Sequence, residues 1–273
     1  MPKLGIAIVG TGMIGAVHRR AALLAGAEIR GVAASSPQRA RDVAEAWGVP
    51  RAYRDIEDVV ADPQVQVVHV CTPNHLHRGM AQAALEAGKH VICEKPLATT
   101  LEDAQALAAL AASNALVATV PFVYRYHPVI REARARIAQG ELGPLHLIHG
   151  SYLQDWLLDP ASNNWRVDPA LGGVSRVFAD IGSHWCDLVE WVSGERFADA
   201  CRRILAELSE AEASACGLHA QPRGDHQPQV GQVDGDEPFF APEPSQGLQL
   251  TNVGTRIFTV VPRTASSRFS SRV

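Results

Sequence analysis

A chain of 273 residues with 47% hydrophobic content can bury a substantial core, and its length suits one large or two ordinary domains. A net charge of -4 gives no basic field to hold nucleic acid or an anionic membrane, so neither is expected as a partner and small-molecule chemistry is. Five cysteines without a CxxC pair argue against a disulfide framework and suit a reducing, cytoplasmic setting. With strand-like sequence already under way at Leu4, no signal peptide is expected, and no apolar run approaches the roughly 20 residues of a membrane span.

Leu4 to Val9 is a short apolar run, as expected of a strand buried on both faces of a parallel sheet. Gly10, Thr11, Gly12, Met13, Ile14 and Gly15 follow directly, and Ala16 to Ala25 reads as a helix. In this strand-turn-helix setting the GxGxxG spacing indicates dinucleotide binding: Gly10 permits the turn, Gly12 lets backbone approach a pyrophosphate, and Gly15 lets helix and strand pack closely. The alternative is a glycine-rich turn without a ligand.

A second strand, Glu28 to Ala34, ends where such folds select their cofactor. An NAD site usually carries an acid there for the ribose hydroxyls. Here the sequence is Ser35, Ser36, Pro37, Gln38, Arg39, so no carboxylate repels a 2'-phosphate while two hydroxyls and a guanidinium are available to one. NADP is therefore favoured over NAD, against the alternative that Ser35 or Ser36 merely caps the helix Pro37 to Trp47 and Arg39 is solvated.

Alternation continues with a helix over Asp55 to Ala61 and a strand over Val65 to Cys71. The exit of that strand, Thr72-Pro73-Asn74-His75-Leu76-His77, falls on the ligand edge of an open α/β sheet, which makes Thr72, Asn74 and His77 candidates for the cofactor's ribose or nicotinamide. Asn74 is also a good helix N-cap. Cys71, His75, His77 and Cys93 lack a recognised ligand spacing, and no metal is expected. A helix Met80 to Ala87, a strand Lys89 to Cys93, a helix Leu101 to Ala112 and a strand Ala115 to Val120 complete a doubly wound parallel sheet.

The Lys89 to Cys93 strand runs into Glu94-Lys95-Pro96. An ammonium at the end of a buried strand is partly desolvated and can hold or polarise a substrate hydroxyl, so Lys95 is a catalytic candidate, with a solvated Glu-Lys pair as the alternative. Pro96 disfavours a helical Lys95, and the bond between them is a candidate for the cis form.

Together, Gly10 to Gly15, Cys71-Thr72-Pro73-Asn74 with His77, and Glu94-Lys95-Pro96 resemble the signature set of the Gfo/Idh/MocA oxidoreductases, the family of glucose-fructose oxidoreductase and inositol dehydrogenase. The similarity spans about residues 4 to 195. It implies a Rossmann domain followed by an α/β domain whose mainly antiparallel sheet covers the active site and often mediates oligomerisation. It also implies that Lys95 touches substrate near the nicotinamide, and Glu94 and Lys95 are candidates for binding the cofactor.

The expected organisation is an NAD(P)-binding Rossmann domain over 1–122, an incomplete substrate domain over 123–200 and an atypical, partly disordered tail over 201–273. In the second domain, Arg125 and His127 precede a helix Pro128 to Gln139, and Leu145 to Tyr152 reads as a strand. The resemblance favours Arg125 and His127 near substrate; surface exposure is the alternative. Trp165 offers a stacking face to a sugar and Arg166 a donor fork, although Trp165 serves equally well as a loop anchor. In Asp180-Ile-Gly-Ser-His184-Trp-Cys-Asp187, a continuous helix would place Asp180, His184 and Asp187 on one face. Histidine as a residue type titrates near working pH, which makes His184 the natural general base, with Asp180 orienting it or binding a second hydroxyl. The resemblance supplies the same pair as catalytic residues; a capping Asp180 and a structural His184 are the alternative.

After about Glu195, Ala200 to Ala215 reads as a helix without a clear apolar face, and Gln221 to Gln246 is rich in Pro, Gln, Gly and Asp, a composition unsuited to a sheet. Only Thr255 to Val261 looks like a strand. A truncated or frame-shifted gene product is the expectation for this tail. The function expected is hydride transfer between NADP or NAD and a hydroxyl-bearing carbon of a sugar or polyol. A non-catalytic or defective cofactor-binding paralogue and an NAD-dependent glycoside-cleaving enzyme are the rivals. A homo-oligomer would form through the second domain's sheet if that sheet forms.

Overall fold

The computed structural model describes residues 3–155, 157, 164–173, 178–197, 248–252 and 255–262. Its elements begin with β1 (Gly5–Val9), α1 (Met13–Leu24), β2 (Glu28–Ala33), α2 (Pro37–Trp47), β3 (Arg51–Tyr53) and α3 (Ile56–Ala61). They continue with β4 (Val67–Val70), α4 (Asn74–Glu86), β5 (His90–Cys93), α5 (Leu101–Ser113) and β6 (Ala118–Thr119). Then come α6 (Pro128–Ala138), β7 (Leu145–His149), α7 (Pro169–Gly172), α8 (Ser183–Ser193), β8 (Leu248–Asn252) and β9 (Thr255–Pro262). The chain divides into one unit of Met1–Val123 with Leu153–Trp185 and another of Tyr124–Tyr152 with Cys186–Val273.

In the first unit, β1 to β6 form one parallel sheet in the order β3-β2-β1-β4-β5-β6. This is the doubly wound Rossmann order, whose direction reverses between β1 and β4. Central strands are apolar throughout because helices cover both faces: β1 and β4 are buried at every position. Ala7, Val9, Val68, Val70 and Cys93 pack on one face with Leu85 and Leu107, while Ile6, Ile8, Val32 and Val67 pack on the other with Ala22 and Val43.

Local chemistry sets the helix limits. Ser36 and Thr100 accept the N–H groups of Arg39 and Asp103 and so start α2 and α5, and Gly48, at φ 63°, ends α2 in the left-handed region. Two boundaries differ from the sequence reading. The α4 helix begins at Asn74 rather than Met80 because Pro73, extended at ψ 151°, is its N-cap residue, so Asn74 is the first helical residue and not the cap. The edge strand β3 was missed, being only three residues with two of them exposed.

The segment Leu153–Trp185, read from sequence as part of the second domain, groups with the Rossmann unit. Asn74 Nδ2 donates to the Gly172 carbonyl at 2.8 Å, and Lys95 holds Asp180.

In the second unit, Ile130 and Ala133 of α6 are buried with Leu188 and Val192 of α8, and Leu145, Ile148 and Trp191 pack against them. Strands β7, β9 and β8 pair antiparallel in that order. The strand Thr255–Pro262 is where the sequence places one, whereas β8 was not foreseen; its Leu-Gln-Leu-Thr-Asn run is too short to stand out beside the polar stretch before it. The helix expected over Ala200 to Ala215 and the Pro/Gln-rich stretch over Gln221 to Gln246 lie outside the described residues.

Candidate active site

The glycine turn is built for close approach. Gly10 has φ 98°, and a Cβ there would lie 2.4 Å from the Cys71 carbonyl oxygen; one on Gly15 would lie 2.1 Å from the Gly10 oxygen. Gly12 differs, since a Cβ on it would meet nothing within 4 Å. Among the described residues no side-chain hydrogen bond caps the N-terminus of α1 at Gly12, and its first turn holds no acid. An uncapped helix start beside open space at Gly12 fits an anionic pyrophosphate. Thr11 is half-buried in this turn, Met13 is exposed, and Ile14 packs against the sheet.

At the end of β2, Ser35, Ser36 and Arg39 are all exposed. Ser36 Oγ accepts the Arg39 N–H at 3.2 Å, so the capping alternative is realised, and the serine hydroxyl hydrogen remains available.

The β4 exit serves the protein's own architecture more than the sequence reading expected. His77 is 1% exposed, with Nδ1 2.7 Å from the Pro96 carbonyl and Nε2 2.8 Å from the Thr72 carbonyl. Both ring nitrogens therefore face carbonyls of the chain's own loops, at the strand end where the sequence reading places a ribose or nicotinamide contact. Burial pushes the His77 pKa down, against the two carbonyls and Glu94, which favour its cation. Asn74 is likewise buried and committed through Nδ2 to Gly172, while Thr72 is half-buried at the strand end.

After β5, Lys95 precedes a cis proline, Pro96. Its Nζ donates to the Asp180 carbonyl at 2.7 Å and to Asp180 Oδ1 at 3.0 Å, with the two side chains 15% and 18% exposed. Arg166 Nε lies 3.3 Å from the same Oδ1, and its guanidinium stacks 4.4 Å from the Trp165 ring centre. Two cations thus share one carboxylate. His184 stands one residue into α8, edge to face with Phe122 at 5.8 Å between ring centres. Lys95, Asp180, Trp165, Arg166 and His184 all belong to the first unit.

One expectation about this region is corrected. Phe178–Gly182 forms a π-helical turn, not the start of a continuous α-helix. A π turn takes up an additional residue, so Asp187 falls off the face that a continuous α-helix would give it with Asp180 and His184. Asp187 is bonded by Arg125 through Nε at 2.8 Å and through Nη2, and this pairing raises the arginine's pKa. This is the guanidinium for which the resemblance favours a place near substrate. His127 is exposed at the N-cap of α6.

Sequence reading overlooked His18 and His69, both buried; His18 Nε2 contacts Glu94 Oε1 at 3.0 Å. The signal was present, because His18 follows Gly15 by three residues on the buried face of α1. Glu94, expected beside the cofactor, has both oxygens engaged, by His18 and by the Lys95 N–H. Among the described residues, no group of three or more His, Cys, Asp or Glu side chains could hold a metal ion, and no helix is long and apolar enough to cross a membrane.

Residues 4–122 match the model of the oxidoreductase family with an NAD-binding Rossmann fold, and residues 130–218 match the GFO/IDH/MocA C-terminal domain. The chain belongs to the Gfo/Idh/MocA oxidoreductase family. The match extends the likeness to residue 218, beyond the limit near 195 set by the motifs alone. Levoglucosan dehydrogenase of Pseudarthrobacter phenanthrenivorans is 35% identical over 205 residues, covering 71% of this chain and 52% of that protein. A levoglucosan dehydrogenase structure in complex with NADH and levoglucosan aligns at TM-score 0.67 and 35% identity, covering 71% of this chain and 55% of that one. An inositol dehydrogenase homologue from Azotobacter vinelandii in complex with NAD+ aligns at TM-score 0.66 and 38% identity, covering 70% and 53%. The chain therefore spans about half the length of the relatives it matches.

Proposed function

We propose that this family member is an NAD(P)-dependent oxidoreductase acting on a hydroxyl-bearing carbon of a sugar, polyol or anhydrosugar. Lys95, Asp180 and His184 are its catalytic residues in this reading. The observation that carries it is the Lys95–Asp180 contact, which joins the ammonium at the end of β5 to the acid of the Asp-x-x-x-His pair. When bound, the dinucleotide supplies a hydride acceptor.

Everything else falls to the chain's own side chains. Lys95 has three N–H donors, and two are taken by Asp180. The third is left to hold the reacting hydroxyl. Asp180 fixes the ammonium's direction, and Arg166, stacked on Trp165, steadies the carboxylate that does so. His184 receives the hydroxyl proton as general base. The uncapped start of α1 and the open space at Gly12 receive the pyrophosphate.

We favour NADP over NAD, because Ser35, Ser36 and Arg39 stand exposed after β2 with no carboxylate among them. The antiparallel β7-β9-β8 strands would belong to the substrate domain's sheet and to a homo-oligomer contact. A cytoplasmic setting is our reading of the unpaired Cys71, Cys93 and Cys186.

The test is turnover by the purified chain with NADP+ or NAD+ against inositols, aldoses and levoglucosan, followed as formation of reduced nicotinamide. Stereoselective reduction of the dinucleotide by any of these supports the reading. A folded chain that binds dinucleotide but reduces none with any polyol rejects it in favour of a non-catalytic cofactor-binding protein.

A further inference from the structure

A buried row of titratable groups lies next to Lys95 without belonging to the chemistry above. His18 of α1, His69 of β4 and Glu94 after β5 are 7%, 4% and 9% exposed. His69 Nδ1 is 3.0 Å from His18 Nδ1, and His18 Nε2 is 3.0 Å from Glu94 Oε1. Glu94 Oε2 then accepts the backbone N–H of Lys95 at 3.1 Å. The two imidazoles meet edge to face, 5.1 Å between centres.

The direction of these hydrogen bonds follows from the end groups. Burial alone would raise the Glu94 pKa, but the hydrogen bond and attraction of His18, with those of Lys95, outweigh it and hold the carboxyl below its usual range. An ionised carboxylate only accepts, so His18 Nε2 carries the hydrogen that faces Glu94. Burial, and then His18, push the His69 pKa down to about 4, so this ring is neutral near pH 7. Among the described residues His69 Nε2 has no hydrogen-bond partner. A hydrogen on His69 Nδ1 therefore points at a bare His18 Nδ1 and leaves a lone pair facing the interior. The opposite arrangement would bury an orphaned N–H, the rarer and costlier defect.

We propose that His18 is a positioning residue for Lys95, acting through Glu94, and that His69 sets the tautomer in which His18 does so. The inference rests on Lys95 being catalytic. Without the His18 donor, Glu94 loses the contact that orients its carboxylate, and the Lys95 amide loses a fixed acceptor. The row also joins the helix that begins at the glycine turn to the residue that would hold substrate. Strand ends of this kind must hold a reacting group to within a fraction of an ångström, since larger misplacement costs turnover steeply.

The experiment compares the full chain with its His18→Phe and His18→Gln variants by amide 15N–1H NMR of Lys95, by dinucleotide titration and by turnover. Phenylalanine keeps a ring but offers no donor, whereas the glutamine amide can still reach Glu94. The Phe variant should move the Lys95 amide resonance and lower kcat about tenfold with dinucleotide affinity changed less than about twofold, and Gln should restore both. An unmoved Lys95 resonance in the Phe variant, or a Gln variant impaired as much as Phe, overturns the proposal. If the Phe variant does not fold, the 15N ring shifts of the unaltered chain decide: a protonated His18 Nε2 supports the role, and a bare one overturns it. Lack of turnover by the unaltered chain would reject the dehydrogenase reading alone, because the Lys95 resonance reports positioning without catalysis.

Discussion

Lys95 and Asp180, 85 residues apart in the chain, meet through two hydrogen bonds, from Nζ to the Asp180 carbonyl at 2.7 Å and to Oδ1 at 3.0 Å. The pair is only partly exposed, so the carboxylate both compensates the ammonium and aims it. Replacing Lys95 with Met should suppress turnover by roughly 10²–10⁴-fold, the range of a positioned proton-handling group, while dinucleotide affinity stays within a few-fold. Steady-state kinetics beside a binding titration measures both, and near-normal turnover by Lys95→Met would remove this residue from the chemistry.

Gly12 and Gly15 separate binding from folding. A Cβ at Gly12 meets nothing within 4 Å, so Gly12→Ala should melt within a degree or two of the unaltered chain yet lose dinucleotide affinity by about tenfold or more. A Cβ at Gly15 would meet the Gly10 oxygen at 2.1 Å, so Gly15→Ala should lower the melting temperature as well. Thermal melts with and without NADPH distinguish the two; retained affinity in Gly12→Ala would move the pyrophosphate elsewhere.

Asn74 ties α4 to the Gly172 carbonyl from a buried position. Asn74→Ala should cost about 1–3 kcal/mol, because the carbonyl loses its donor in the interior. Urea unfolding gives the value, and a loss below about 0.5 kcal/mol would mean that water replaces the amide.

His69 predicts a pH dependence. Its folded pKa, about 4, lies below the ordinary 6.5 because burial disfavours the cation. Between those values the unfolded chain binds the proton that the folded chain refuses, so stability falls as pH drops from about 6.5 towards 4 and this contribution levels off below. The full effect is of order 3 kcal/mol. Replacing His69 with Gln should flatten that part of the stability-pH curve; an unchanged slope would assign it to other groups.

The exposed Ser35, Ser36 and Arg39 predict tighter binding of NADPH than of NADH by about tenfold, the worth of one or two charge-assisted hydrogen bonds. Nicotinamide fluorescence titrations measure the ratio. Arg39→Ala should bring it close to unity, and a preference for NADH in the unaltered chain would reverse the cofactor assignment.

The Rossmann sheet was legible in the sequence because its information is local. Continuous apolar runs such as Leu4 to Val9 mark strands buried on both faces, glycines mark positions where a Cβ cannot fit, and Ser36 and Thr100 mark helix starts. Lys95, Asp180 and His184 stood out in the sequence as candidates because of their residue types beside strand ends and short motifs. Their partners were not. A hydrogen bond between side chains far apart in sequence leaves no periodicity, so only the tertiary structure decided that Lys95 holds Asp180, that Arg125 goes to Asp187, and that His77 turns its two nitrogens toward the Thr72 and Pro96 carbonyls. The π turn at Phe178–Gly182, which undoes the alignment of Asp180 with Asp187, also has no marker in spacing. The least legible feature was the His69–His18–Glu94 row, since each residue looks ordinary on its own strand or helix and acquires meaning only when burial brings His18 against both His69 and Glu94 and turns Glu94 toward the Lys95 amide.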